Sequence, residues 1–180
     1  MSAEKLPGGP TQDEVLAVSL FKLGIRTGDV ILDLGCGTGK VSIAAARTAK
    51  YVVAIDKRPE AIRYAKREAK KKGITNIEFH STSAAEFLGT DDRFFDCAFV
   101  GGSKGIAGFL PVLAQKVRRT IVVNAVLLST LGTTIAIMQD LKIFQDLVHL
   151  QAARSSAIGG SIMLKPIDPV YIITGSGAAC

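Results

Sequence analysis

The chain has 180 residues, 48% of them hydrophobic, with 22 Lys and Arg against 16 Asp and Glu for a formal net charge of +6. That is enough apolar material for one domain with its own core, spanning 1–180, able to fold without metal or disulfide help. No apolar run approaches the roughly 20 residues that cross a bilayer, and Cys36, Cys97 and Cys180 are too scattered for a disulfide framework or a zinc site, so a reducing cytoplasm is the expected home and no metal is expected.

Residues 1–11 read as a Pro/Gly-rich arm with no secretory core, ending in Gly9-Pro10-Thr11. A helix is expected over 12–23, a turn over 24–28 and a first strand over 29–34. The glycine-rich stretch that follows leads into a helix over 40–48, whose Ala44-Ala45-Ala46 suits close packing on a sheet. A second strand covers 51–55. Pro59 then opens a helix that Gly73 ends, with Ile62, Ala65 and Ala69 on its buried face. Arg63, Lys66, Arg67, Lys70, Lys71 and Lys72 crowd this helix. They read as a solvated face whose last-turn lysines suit the helix dipole, since no aromatics are interleaved to stack bases.

Strand three is expected over 76–80 and strand four over 95–100, ending in Gly101-Gly102-Ser103. A helix over 106–117 contains Pro111, which either opens or kinks it. Strand five follows at 120–126, then a helix over 133–141. Two β runs, 145–152 and 170–174, flank a stretch read as loop over 153–169. Alternating strands and helices followed by strand–loop–strand predict an α/β fold, a Rossmann-like parallel sheet finished by an antiparallel C-terminal hairpin.

The stretch Val30-Ile-Leu-Asp-Leu-Gly-Cys-Gly-Thr-Gly39, with Asp56 closing the next strand, carries the chemistry. A buried strand, a glycine turn, a helix, a second strand and an acid describe a nucleotide pocket at the carboxyl edge of a parallel sheet. Gly35, Gly37 and Gly39 are too closely spaced for the dinucleotide fingerprint, and no Gly-Lys-Ser/Thr marks a triphosphate loop. Asp33 precedes the glycines, and Asp56 is placed to accept from two ribose hydroxyls. Cys36 reads as a small packing residue inside the loop, with neither His80 nor His149 near it in sequence. This pattern resembles motif I of the class I S-adenosylmethionine-dependent methyltransferases, and the ending is similar to their seven-stranded sheet.

Over nearly its whole length the chain also resembles the small cobalamin-pathway methyltransferases that methylate carbon-15 of cobalt-precorrin-6B and decarboxylate an acetate side chain. Gly9-Pro10-Thr11, Leu34-Gly-Cys-Gly-Thr-Gly39, Ala54-Ile-Asp-Lys-Arg-Pro-Glu-Ala-Ile62, Val100-Gly-Gly-Ser103, Ala153-Arg154 and Pro169-Val-Tyr-Ile-Ile-Thr-Gly175 carry the likeness. The resemblance implies S-adenosylmethionine held by Thr11, Gly35, Cys36, Gly37, Thr38, Gly39, Asp56 and Ala84. It also implies an acidic tetrapyrrole substrate in anaerobic cobalamin biosynthesis, and a homotetramer. Ser83-Ala84 stands where related enzymes place Asp-Ala at the adenine, and Lys116-Val-Arg-Arg119 replaces their Lys-Pro-Gly-Gly turn. Lys104, Arg154 and Lys165 are candidate clamps for substrate carboxylates, and the apolar run 121–131 is candidate interface material. The macrocycle itself supplies the electron sink, so no catalytic residue is assigned. The alternatives are a class I RNA methyltransferase, which the basic balance favours but which would act without an added RNA-binding module, a protein-carboxyl methyltransferase, and a non-catalytic module with a nucleotide-shaped pocket.

Overall fold

The computed structural model describes Gly9 and Thr11–Ala179. Pro10, most of the expected arm and Cys180 lie outside the described residues. The first half alternates as expected: α1 (Asp13–Leu23), β1 (Val30–Leu34), α2 (Lys40–Ala45), β2 (Tyr51–Ile55), α3 (Pro59–Lys71) and β3 (Ile77–His80). Then come α4 (Ala84–Thr90), β4 (Phe95–Val100), α5 (Ile106–Lys116), β5 (Val117–Ala125), α6 (Leu128–Asp140), β6 (Phe144–Leu150), β7 (Ala153–Ile158), β8 (Ser161–Pro166) and β9 (Val170–Ser176).

Seven strands form one sheet in the order β3-β2-β1-β4-β5-β9-β6. The neighbours from β3 to β5 run parallel, and β9 runs antiparallel to both β5 and β6. The central strands β1, β2 and β4 are buried along nearly their whole length, as parallel strands covered by helices on both faces require, while the edge strands β3 and β6 are only partly covered. Leu32, Leu34, Val53, Ile55, Leu110, Leu113 and Ile121 pack on one face. Ile31, Val52, Cys97, Phe99, Val122 and Ile172 pack on the other with Val15, Leu23 and Val41. The strand order reverses between β1 and β4, and at such a reversal the loops part to leave a crevice at the carboxyl edge.

Several boundaries differ from expectation. α4 falls where no element was expected. Its start is a Ser-x-x-Glu signature: the Ser83 hydroxyl accepts from Glu86 N at 3.2 Å, and the Thr82 hydroxyl donates to Glu86 Oε2 at 2.6 Å. α6 begins at Leu128 and runs through Gly132 rather than starting at 133. A helix tolerates an interior glycine at a cost of about 1 kcal/mol. β5 begins at Val117, directly after α5, and Pro111 sits inside α5 without opening it.

The largest correction concerns 153–169. It is not a loop: β7 and β8 pair antiparallel from Ala153–Pro166 to Ile158–Ser161, in a two-stranded ribbon separate from the main sheet. Gly159 and Gly160 have φ of 51° and 78°, the paired left-handed conformation that a two-residue hairpin turn needs. Nearly every ribbon side chain is exposed, so the strands carry no alternation against the core that would mark them. Ile121, Val122 and Val123, expected as interface material, are fully buried in β5. The exposed apolar part of that run is Val126-Leu127-Leu128, at 63%, 61% and 70% exposure. No helix among the described residues is long and apolar enough to cross a membrane.

Candidate functional site

Three strand ends are tied together at the crevice. Leu34 O accepts from Gly101 N at 2.9 Å and Gly102 N at 3.1 Å, and Ile55 O accepts from Gly35 N at 2.8 Å and Cys36 N at 2.9 Å. This draws the loop after β1 against the loop after β4 so closely that a Cβ on Gly35 would lie 2.4 Å from Gly102 N. Gly35 also has φ +77°, so both sterics and backbone require glycine there. The Gly101-Gly102 pair after β4 is thereby explained by its approach to Gly35. Gly39 lines neither of the two cavities of the crevice; it caps α2, and a Cβ there would meet Ala65 of α3 at 2.8 Å.

Asp56, 4% exposed at the end of β2, is the electrostatic centre of the loop. Its Oδ2 accepts from Gly37 N at 3.0 Å and Arg58 Nη2 at 2.9 Å, and its Oδ1 accepts from Arg58 N at 3.0 Å and Arg58 Nε at 2.9 Å. Burial pushes this carboxyl up, but the Arg58 guanidinium and the Arg58 and Gly37 amides outweigh it and hold it below the ordinary value. Asp33 is in the opposite position. It is 1% exposed, only its Oδ2 is engaged, by the Ser42 hydroxyl, and its Oδ1 has no partner. Burial pushes its pKa up to about 7 against the pull of Ser42, with the Asp56 charge adding to the rise. Burial raises the Cys36 thiol far above its ordinary value, and the charges of Asp33 and Asp56 add to it, so Cys36 is no thiolate nucleophile.

Two cavities flank the glycine loop and share Gly35, Arg58 and Gly101. The larger, about 380 Å³, is lined by Thr11, Asp33, Gly35, Cys36, Gly37 and Thr38, with Asn124, Val126 and Asp168 among the rest. The second, about 290 Å³, is lined by Asp56, Thr82, Ser83, Ala84, Gly102 and Lys104 among others. Of the expected cofactor residues all but Gly39 therefore meet at one crevice. Sequence reading missed Arg58, Asn124 and Asp168. The spacing Asp56-x-Arg58 ahead of Pro59 carried a signal for the first; Asn124 and Asp168 lie far along the chain and reach the crevice only through the sheet order.

The family model for the precorrin methyltransferase domain matches residues 6–175 of this chain. A protein of Methanosarcina acetivorans named "Probable cobalt-precorrin-6B C(15)-methyltransferase (decarboxylating)" is 47% identical over 96% of this chain and 96% of its own length. The chain belongs to the precorrin methyltransferase family. Solved structures agree with that membership. Precorrin 8W decarboxylase of Methanobacterium thermoautotrophicum superposes with a TM-score of 0.90 at 30% identity, covering 97% of this chain and 95% of that one. Precorrin-6y C5,15-methyltransferase of Geobacter metallireducens gives 0.87 at 27% identity, covering 98% and 94%. The match to precorrin methyltransferases favours that reading over the RNA methyltransferase alternative.

Within this precorrin methyltransferase fold the candidate carboxylate clamps lie apart. Lys104 lines the second cavity beside Ser83, on the far side of the glycine loop from the larger cavity. Arg154 sits on β7, not in a loop, and already holds two acids: its Nε and Nη2 donate to Glu14 at 2.9 and 2.6 Å, and Asp13 lies 3.5 Å away. It anchors the base of the ribbon to α1. Lys165 stands opposite Arg154 in the β7–β8 register. Lys40, the first residue of α2, donates to Thr11 O at 2.5 Å and pairs with Asp13 at 2.6 Å. The Thr11 segment is thus pinned beside the larger cavity from the glycine-loop side.

Proposed function

We propose that this chain uses S-adenosylmethionine to methylate a cobalt-precorrin-6B-like tetrapyrrole at carbon-15 and to decarboxylate its acetate side chain. The carrying observation is the double cavity astride the glycine loop in a chain of this family. Each half falls near the lower end of the size range of small-molecule sites. The residues fit the methyl donor. Asp33 leaves one buried acceptor unfilled in the larger cavity, suited to the ammonium of an amino-acid tail, and a nearby cation would hold the carboxyl ionised. Asp56 is the acceptor for the ribose hydroxyls, which would take the place of the Arg58 fork. Ser83 and Ala84 line the cavity beyond it, where adenine would lie. The donor supplies an electrophilic methyl on a sulfonium.

The protein's part is to orient. The methyl has to point out of the crevice, in line with a ring carbon made electron-rich by conjugation. Val126, Leu127 and Leu128 form an exposed apolar ledge beginning at the mouth of the larger cavity, suited to the face of a macrocycle. The +6 balance suits a polycarboxylate. We further propose a cytoplasmic homotetramer. The exposed Ile158, Ile162, Met163 and Leu164 of the ribbon support self-association, because a lone two-stranded ribbon is marginal unless another surface covers it. Incubation with S-adenosylmethionine and cobalt-precorrin-6B, read by mass spectrometry, tests the reaction. The product gains one methyl and loses carbon dioxide. Binding of the donor with an untouched tetrapyrrole and labelled RNA would overturn the proposal.

A further inference from the structure

We infer that Asp168 is the catalytic carboxylate of the decarboxylation half-reaction, delivering the proton that replaces the departing carboxyl; this rests on the reading above. Loss of carbon dioxide from an acetate side chain breaks the bond between methylene and carboxyl carbons. The electron pair of that bond passes into the conjugated macrocycle, and the methylene carbon must then gain a proton to become a methyl. No redox partner is needed, but one proton is consumed in each turnover, and some group must hold it at the rim of the crevice.

Among the described residues the larger cavity is lined by two carboxylates, Asp33 and Asp168, and of these Asp168 is placed for this task. Asp33 lies beneath the glycine loop, 1% exposed and bonded to Ser42, where a bound methyl donor would cover it. Asp56 belongs to the second cavity and is clamped by Arg58. Asp168 is exposed, so it can touch a bulky substrate and recover a proton from solvent. It stands in the short connection between β8 and β9, beside Val170 on the cavity wall. That connection is fixed at both ends. Ile167 N donates to Ala152 O at 3.0 Å, and Pro169 restricts Asp168 to extended backbone. Val126, at the head of the apolar ledge, lines the same cavity. A macrocycle on that ledge can therefore bring a side-chain carboxylate against Asp168.

Chemistry then couples proton delivery to bond cleavage. Two carboxylates brought together share one proton, because both cannot stay ionised at short range without mutual repulsion. When the substrate's carboxylate departs as neutral carbon dioxide, the charge that held the proton between the two acids is gone. The O–H bond of Asp168 breaks toward the new carbanionic carbon, and the carboxylate left behind takes its next proton from water.

The test is single-turnover mass spectrometry of cobalt-precorrin-6B with S-adenosylmethionine, comparing the intact protein with Asp168→Asn and Asp168→Glu. In Asp168→Asn the rate of decarboxylation relative to that of methylation should fall about a hundredfold, within the usual range for a general acid. A methylated product that keeps its carboxyl should accumulate, and Asp168→Glu should restore much of the loss. Normal decarboxylation by Asp168→Asn would overturn the assignment and leave the proposed function standing. Equal loss of both steps would assign Asp168 to substrate binding and overturn the catalytic role. An unmodified protein that leaves the tetrapyrrole unchanged would overturn the proposed function and this inference with it.

Discussion

Gly35 and Gly102 meet backbone to backbone, while the glycine nearest Asp56 has room around it. A Cβ on Gly37 would find its nearest neighbours at 3.7 and 4.0 Å, ordinary contact distances, although φ is +54°. Gly37→Ala therefore carries mainly the left-handed backbone cost of about 1–2 kcal/mol. Gly35→Ala must also push β1 and β4 ends apart. Calorimetric titration with S-adenosylmethionine should show a much larger affinity loss for Gly35→Ala, with a lower melting temperature; equal effects would mean that the Gly35–Gly102 approach does not shape the site. Asp33 gives a pH signature. Burial raises its carboxyl to about 7 in the folded chain, against 3.8 for an unperturbed Asp. Between those values the folded state binds the extra proton, so the stability tied to this group is complete below 3.8 and is lost as pH rises through about 7. Urea midpoints of the unmodified protein should fall across that window relative to Asp33→Asn. Parallel pH profiles for the two would show that Asp33 does not titrate there.

At the scale of elements, α4 is a helix of seven residues held at its start by Ser83. Ser83→Ala should destabilise the protein by about 1 kcal/mol, the usual cost of losing such a cap. Ser83→Asp keeps a capping oxygen and adds a charged acceptor beside the cavity proposed to hold adenine, so cofactor affinity should hold or rise; a large loss by calorimetry would show that this wall does not face adenine. The same helix shows what sequence reading could reach. β1, α2, β2, α3 and β4 were legible because buried runs and glycine or proline boundaries coincide there. The glycine loop and Asp56 were legible because they lie in one βαβ unit. α4 is short and hides its start in the Ser83-x-x-Glu86 spacing. The ribbon has no buried face and hence no periodicity, and only Gly159-Gly160 announced it. Arg58 directly precedes the helix-opening Pro59, and its guanidinium turns back on Asp56.

For the whole molecule, the ribbon and the apolar ledge are exposed apolar surfaces open to other molecules. Replacing Ile162 and Leu164 with Lys should lower the mass measured by light scattering from that of the proposed tetramer, with little change in the melting of the main sheet, because both side chains are exposed in the single chain. A tetramer that survives the double change would remove the ribbon from the interface. The place of β9 has a kinetic consequence. It is hydrogen-bonded to β5 on one side and β6 on the other, and β6 has no other strand partner among the described residues. During synthesis β6 is made first and then waits, unpaired, while the whole ribbon is added ahead of β9. The growing chain thus presents two open strand edges until its last strand arrives, and the wedge that completes the sheet also ends the period of greatest exposure to aggregation.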